Sequence, residues 1–301
     1  MTDAYSFVEG VPPLLSKPTL VMMLTGWIDA SGAAAAAMSM LEVECEASTI
    51  AVFDGDIFLD YRARRPIMQL REGVNSQLVW QDIEVKAGAD SQGRDVLLLT
   101  GPEPDMAWRR FAAEVAALAT DLGVRRVVGL GAYPFAIPHT RPARLSMTSP
   151  SAELIQSLPT LKNSVDVPAG VAAVIEHSCH DASIEVIGLW VQVPHYVASM
   201  PYPAATEGLL AALADIADVH IDSSVARQEA ILQRQRLDEL VAGNEDHGAM
   251  VRQLESLYDA AADSPGGQQP DGASLIDTRI PTADELGAEF EQFLRDQGDS
   301  T

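Results

Sequence analysis

Short apolar runs alternate with stretches of helical periodicity along the first two-thirds of the chain, and this order limits the possible folds. The predicted strands are Leu20–Leu24, Thr49–Phe53, Gln77–Val85, Asp95–Thr100, Arg125–Gly131 and Ile184–Val191. The predicted helices are Ala33–Leu41, Asp105–Leu122, Gly170–Cys179 and Pro203–Ala217. Strands that alternate with helices predict an α/β fold, with a mostly parallel or mixed sheet covered by helices on both faces. Gln77–Val85 alternates apolar and polar residues, so we expect it to add an antiparallel pairing.

The pattern changes after residue 220. Val225–Leu240 and Glu245–Ala262 predict two helices joined by a short turn, which is typical of an antiparallel helical hairpin. Residues 264–273 have the composition of a linker, and the capping box Thr282–Glu285 predicts a short terminal helix. The predicted organisation is an α/β core domain at 1–220, a helical hairpin appendage at 221–262, a linker at 263–281, and a terminal helix and tail at 282–301.

The charge of the chain bears on its partners. It carries 43 acidic and 20 basic residues, a net charge of −23. A nucleic-acid-binding protein needs a basic surface, and an anionic membrane would repel this chain, so we expect neither as a partner. Apolar segments fall far short of the ~20 residues of a membrane span, and the N-terminus has no secretory pattern. We therefore expect a cytoplasmic protein, with Cys45 and Cys179 as buried reduced thiols and no metal site.

Ligands of open α/β sheets bind in the loops at the carboxyl ends of the parallel strands. In this chain those loops hold most of the polar side chains that could form a ligand pocket or an interface. The candidate residues are Gly26, Trp27, Asp29, Asp54, Tyr61, Arg64, Arg65, Glu103, His139, Arg141 and His195. They form no complete catalytic motif, so the catalytic residues stay unassigned.

The loop TGWIDASG joins the first predicted strand to a helix N-terminus, where free backbone N–H groups can hold an anion. It lacks both the lysine of a P-loop and the glycines of a dinucleotide-binding motif. Asp29 is explained more simply as a helix N-cap, and Gly26 and Gly32 as residues that permit a turn. We favour this structural interpretation over ligand binding.

Three other loops leave two interpretations open. In DYRARRP, Arg62, Arg64 and Arg65 either clamp a carboxylate or phosphate, or pair with the protein's many acids, within the subunit or across an interface. In PFAIPHTRPAR, His139 and Arg141 either supply an acid–base group and an anion holder, or belong to a loop that its prolines keep rigid. In VPHYVASMPYP, His195 is either a catalytic group or, more simply, a hydrogen-bonded structural residue.

Several motifs occur together in an order that matches a known family. GWIDASG, FDGDIFLDYRARRPIM, LLLTGPEPDMAWRRF and GLGAYPFAIPHTRPARL resemble the family of the second proteasome-assembly chaperone, in its actinobacterial type with a helical C-terminal extension. The resemblance extends from about Pro18 to Ala262. It implies a fold similar to nucleoside phosphorylases, homo-oligomers such as trimers, proteasome subunits as partners and no cofactor. Some archaeal relatives end in a hydrophobic–tyrosine–any tripeptide, whereas this chain ends in Asp299–Ser300–Thr301.

The sequence therefore supports two principal hypotheses. In the first, the chain is a non-catalytic protein-binding protein, similar to an assembly chaperone. In the second, it binds a small molecule, or acts as a hydrolase-like or phosphorylase-like enzyme, through a pocket at the carboxyl ends of the strands. A third interpretation is that the candidate residues build a subunit interface.

Overall fold

The computed structural model describes residues 4–158 and 164–262. The strands are β1 (Tyr5–Phe7), β2 (Thr19–Thr25), β3 (Ser48–Phe53), β4 (Ile67–Arg71), β5 (Val74–Val79), β6 (Glu84–Ala89), β7 (Asp95–Pro102), β8 (Arg126–Phe135), β9 (Leu145–Thr148) and β10 (Glu185–Pro194). The helices are α1 (Ala33–Glu44), α2 (Gly55–Phe58), α3 (Trp108–Asp121), α4 (Ala152–Ser157), α5 (Val171–Asp181), α6 (Pro203–Ala217), α7 (Ser224–Ala242) and α8 (Glu245–Ala262).

Eight of these strands form one mixed sheet in the order β1-β3-β6-β7-β2-β8-β10-β9. Its centre is parallel, because β7, β2, β8 and β10 run in the same direction. The flanking strands β6, β3 and β1 on one side, and β9 on the other, are joined by antiparallel pairings. The predicted α/β class and mixed sheet are confirmed.

Helices cover both faces of this sheet, because successive residues of a buried strand point to opposite faces. Val21 of β2 belongs to the apolar layer that includes Leu41 of α1 and also contains residues of α6. Leu20, its neighbour, belongs to the layer on the other face, with Phe111 of α3 and Ile175 of α5. The central strands are therefore apolar on both faces, which is why they appear in the sequence as continuous apolar runs.

The prediction of a single strand at Gln77–Val85 is wrong. Its first residues belong to β5, which pairs with β4 in a separate two-stranded sheet. Its last residues belong to β6, which pairs with β3 and β7. The chain leaves one sheet and enters the other between Trp80 and Ile83. The alternation changes phase at this break, from apolar residues at Leu78 and Trp80 to apolar residues at Ile83 and Val85, so the sequence does mark its position.

The predicted helical hairpin is present as α7 and α8. Leu237 of α7 is buried and joins the apolar layer next to α1 and α6, and Val251 and Leu254 of α8 are buried as well. None of the helices within residues 4–158 and 164–262 is long and apolar enough to cross a membrane. The predicted linker at 263–281 and the predicted terminal helix and tail at 282–301 lie outside the described residues.

Candidate functional site

The candidate residues lie along one edge of the sheet. β3, β7, β2, β8 and β10 run in the same direction, so their carboxyl ends meet at that edge. The candidates separate there into two groups. One group, called the Arg64 cluster, brings residues that follow β2 and β7 together with Arg64 from the segment after α2. Its members are Gly26, Trp27, Arg64, Glu103 and Asp105. The other group, called the His139 latch, brings His139 and Tyr196, which follow β8 and β10, together with Asp238 of α7.

In the Arg64 cluster, ion pairing and hydrogen bonds connect three segments. Arg64 donates from Nε to both carboxylate oxygens of Asp105, at 3.0 and 3.1 Å, and from Nη2 to the backbone oxygen of Glu103 at 3.1 Å. Glu103 in turn accepts a hydrogen bond of 2.6 Å from the backbone N–H of Val171. Its carboxylate thus satisfies one of the free N–H groups at the start of α5. Of the two sequence interpretations of Arg64, this geometry matches pairing with the protein's own acids.

Two glycines allow the cluster to pack closely. Gly26 has a φ of +123°, and a Cβ there would lie 3.4 Å from Cβ of Glu103 and 3.5 Å from Nη2 of Arg64. A Cβ on Gly170 would lie only 2.8 Å from Cδ1 of Trp27. The ring of Trp27 therefore rests on the backbone at the start of α5, while 39% of the residue stays exposed.

Asp29 caps α1. Its two carboxylate oxygens accept hydrogen bonds from the backbone N–H groups of Ala34 and Ala35, at 2.9 and 3.0 Å. Burial raises the pKa of this carboxyl, and the two backbone hydrogen bonds partly oppose that effect. The side chain occupies the helix N-terminus that an anion would otherwise use, which matches the capping interpretation.

The remaining candidates near β3 have separate positions. Asp54 caps the short helix α2 by accepting a hydrogen bond of 3.0 Å from the backbone N–H of Asp56. The ring of Tyr61 contacts Trp80 edge-on, with the centroids 4.6 Å apart. Burial and the hydrogen bond to Asp56 raise the pKa of the Tyr61 hydroxyl. Arg65 is exposed.

The His139 latch connects the sheet edge to the helical hairpin. His139 is buried, and its Nδ1 lies 2.7 Å from the hydroxyl of Tyr196, while its Nε2 lies 3.2 Å from the carboxylate of Asp238 in α7. The Tyr196 hydroxyl accepts from the backbone N–H of His139, so it is free to donate to Nδ1. We therefore assign the ring proton to Nε2, which donates to Asp238. Burial lowers the pKa of His139, and Asp238 partly opposes this.

The rest of the loop at 138–144 contacts α8. Arg141 forms ion pairs with Glu255 at 3.0 Å and Asp259 at 2.8 Å. The guanidinium of Arg144 lies 3.6 Å from the ring centroid of Tyr258. The prolines and arginines in this part of the sequence thus form a polar docking surface for α8, an arrangement that motif analysis of the loop alone could not distinguish from an anion site.

His195 lies next to the latch but takes no part in it. Its ring meets that of Tyr196 edge-on, with centroids 5.3 Å apart. Burial lowers its pKa, and a hydrogen bond with the backbone of Phe135 partly opposes that shift. This position is consistent with a structural histidine.

Sequence reasoning missed the partners that fix these side chains. Asp105, Asp238, Glu255 and Asp259 lie in helices or turns whose sequence gives no sign of a contact so far along the chain. It also missed Glu176 on α5, a buried carboxyl whose pKa burial raises to about 7. Within the described part of the chain, no cluster of three or more His, Cys, Asp or Glu side chains could hold a metal ion.

Most of the polar candidates are therefore engaged by other residues of the chain, and the exposed side chains beside the Arg64 cluster are apolar. Trp27 and Ile28 follow Gly26, and Met106 follows Asp105, so three exposed apolar side chains lie at the Arg64 cluster. Large exposed apolar residues that lie together are typical of protein-binding surfaces.

Comparison with known proteins gives a consistent result. A sequence model of the PAC2 family matches residues 23–241. Among functionally curated proteins, none matches.

Solved structures from two actinobacteria are similar over most of the chain. One is a Mycobacterium tuberculosis protein of unknown function, with 34% identity and a TM-score of 0.77 over 87% of this chain and 91% of that one. Another, of unknown function from Corynebacterium glutamicum, has 30% identity and a TM-score of 0.79 over 86% of this chain and 98% of that one. A third, described as a proteasome-assembly chaperone homologue of M. tuberculosis, has 32% identity and a TM-score of 0.70 over 77% of this chain and 99% of that one.

Proposed function

The chain belongs to the PAC2 family, and from that premise we propose that it is a non-catalytic protein-binding protein that assists proteasome assembly. The observation that carries the proposal is the similarity to the mycobacterial proteasome-assembly chaperone homologue, which includes 99% of that protein. Proteasome subunits are accordingly the proposed partners, and the cytoplasm is the proposed location.

The geometry of the Arg64 cluster supports protein binding over small-molecule chemistry. Arg64 and Glu103 make intramolecular contacts, so a small polar ligand would have to displace them. Trp27 and Met106 are 39% and 45% exposed, and aromatic and methionine side chains are enriched at protein interfaces. We propose that Trp27, Ile28 and Met106 contact the partner.

Binding of the full chain to purified proteasome subunits tests this function. We expect the wild-type chain to bind an α- or β-subunit and to change the rate at which particles form on native gels. The double variant Trp27→Glu/Met106→Glu should bind about tenfold more weakly, because charge replaces apolar contact. Val43→Glu is the matched control, since Val43 is exposed near the far end of α1. Absence of binding to every subunit would overturn the proposal.

The alternative, a small-molecule or phosphorylase-like pocket at the same edge, remains a prediction. A thermal-shift screen with nucleosides, phosphate and carboxylates tests it, because a ligand that binds the native state raises the unfolding midpoint. We also propose that the chain associates with itself, in a homo-oligomer such as a trimer.

A further inference from the structure

The β-hairpin formed by β4 and β5 stands apart from the main sheet. Its strands are hydrogen-bonded to each other and, within the described residues, to no strand of the eight-stranded sheet. Glu72 and Gly73 join them with φ values of +51° and +83°, as a tight hairpin turn requires. A two-stranded hairpin by itself is marginally stable in water. We call Tyr61–Trp80, the hairpin with its two ends, the arm.

The base of the arm is fixed to the body of the protein. Tyr61 and Trp80, at its two ends, are in ring contact. Arg64 ties the first end to Asp105 and to the backbone of Glu103. The arm therefore has a defined point of attachment, while no residue of β4 or β5 is buried.

The exposed surface of the arm is unusually apolar. Its large apolar side chains are between 37% exposed, at Val79, and 67% exposed, at Ile67. The other members of this set are Met68, Leu70, Val74, Leu78 and Trp80. Single exposed apolar residues are normal on a protein surface, but seven on one hairpin mark an interaction surface.

The charge of the arm is opposite to that of the rest of the chain. It carries four arginines and one glutamate, in a protein with more than twice as many acidic as basic residues. Three of these arginines, Arg62, Arg65 and Arg71, form no ion pair with any carboxylate of the described residues, although acids are abundant.

We propose that the arm binds the body of a second copy of this chain. The acidic body supplies carboxylates that complement the three unpaired arginines, and the partner's surface covers the apolar side chains. Each copy offers both an arm and an acidic body, so head-to-tail contacts can close a ring such as the proposed trimer. A stable interface takes about 20–30 residues from each side, and the arm contributes 20. This inference rests on the proposed self-association, but not on the proteasome as partner.

Sedimentation velocity of the full chain over a range of concentrations tests the inference. The first variant is Arg62→Glu/Arg65→Glu/Arg71→Glu. Its control, Arg109→Glu/Arg236→Glu/Arg252→Glu, makes the same change of charge at three exposed arginines of α3, α7 and α8. We expect the arm variant to weaken association about tenfold or more, with the control within about twofold of the wild type. Added salt should weaken the wild type more than the arm variant.

A second variant separates binding from folding of the arm. Met68 and Leu78 face each other across the two strands, so Met68→Lys/Leu78→Glu replaces an apolar pair by an opposite-charge pair that preserves the hairpin. It should also weaken association. A wild type that stays monomeric at every concentration would overturn both the self-association and this inference. An oligomeric wild type whose arm variants associate normally would overturn the inference alone, and would leave another protein or another segment as the occupant of the arm.

Discussion

The chain contains two hairpins, one of helices and one of strands, and they differ in how their exposed side chains are paired. The helical hairpin α7–α8 is rich in charge, and its contacts lie within the chain: Asp238 meets His139, and Glu255 and Asp259 meet Arg141. The β-hairpin is apolar and basic, and within residues 4–158 and 164–262 no such contacts cover it. The charged side chains of the helical hairpin pair with residues of the same chain, so this hairpin is part of the fold. The exposed apolar side chains of the β-hairpin are instead typical of a surface that binds another molecule.

The same distinction separates the candidate residues. The candidate residues near the helical hairpin form hydrogen bonds and ion pairs within the chain, and His139 is the most buried of these residues. Among the candidate residues near the arm, Arg64 is held by its ion pair with Asp105, whereas Trp27 and Arg65 are exposed. Recognition of other proteins is therefore expected on the arm side of the edge.

The largest expected effect is a difference in stability between two leucine-to-alanine variants, one on each hairpin. Leu237 of α7 is 8% exposed, and Leu70 of β4 is 53% exposed. Leu237→Ala should lower the free energy of unfolding by about 2–4 kcal/mol, because it leaves a cavity in the apolar layer. Leu70→Ala should change it by less than about 0.5 kcal/mol at low protein concentration. Equilibrium urea unfolding measures both.

Repeating both measurements at several protein concentrations provides the control for this pair of variants. If Leu70 lies in an interface between copies, its substitution should reduce stability only at concentrations where the wild type associates. A cost for Leu70→Ala as large as that for Leu237→Ala at every concentration would contradict the comparison, since the arm would then be packed on its own body.

A smaller effect should follow acidification of the latch. Burial lowers the pKa of His139 below the 6.5 of a free histidine. The unfolded state then binds more protons than the folded state below that pH, so the contribution of His139 is intact above pH 6.5 and is lost as pH falls through the folded pKa. Asp238, Arg234 and Glu255 are the charged groups that act on it.

The variant His139→Gln isolates this effect, because glutamine keeps hydrogen-bonding groups but does not titrate. Thermal unfolding midpoints of the wild type should fall relative to those of His139→Gln as the pH is lowered from 7.5 to about 5. His247→Gln, at an exposed position of α8, is the control and should follow the wild type. Parallel curves for the wild type and His139→Gln would show that the latch does not depend on pH.

The strands and helices of the body were predictable because each carries its own periodicity. The bounds of α6 and α8 coincide with those predicted from sequence. β1, β4 and β9 were not recognised, and β5 only in its last residues, since a strand exposed on both faces, or short and at an edge, has no apolar face to alternate. The partners of Arg64, His139 and Arg141 depend on contacts between segments distant in sequence, which no local pattern encodes.

The smallest effect concerns the ion pairs that hold α8. Arg141, Glu255 and Asp259 are all partly exposed, and exposed ion pairs are screened by salt and contribute little singly. Arg141→Ala should therefore leave global unfolding nearly unchanged while making α8 more accessible to limited proteolysis. Salt should increase cleavage of α8 in the wild type but hardly in the variant, and Arg252→Ala on the same helix should behave as the wild type. Cleavage as fast as in Leu237→Ala would instead mean that polar contacts, and not the apolar layer, hold this hairpin in place.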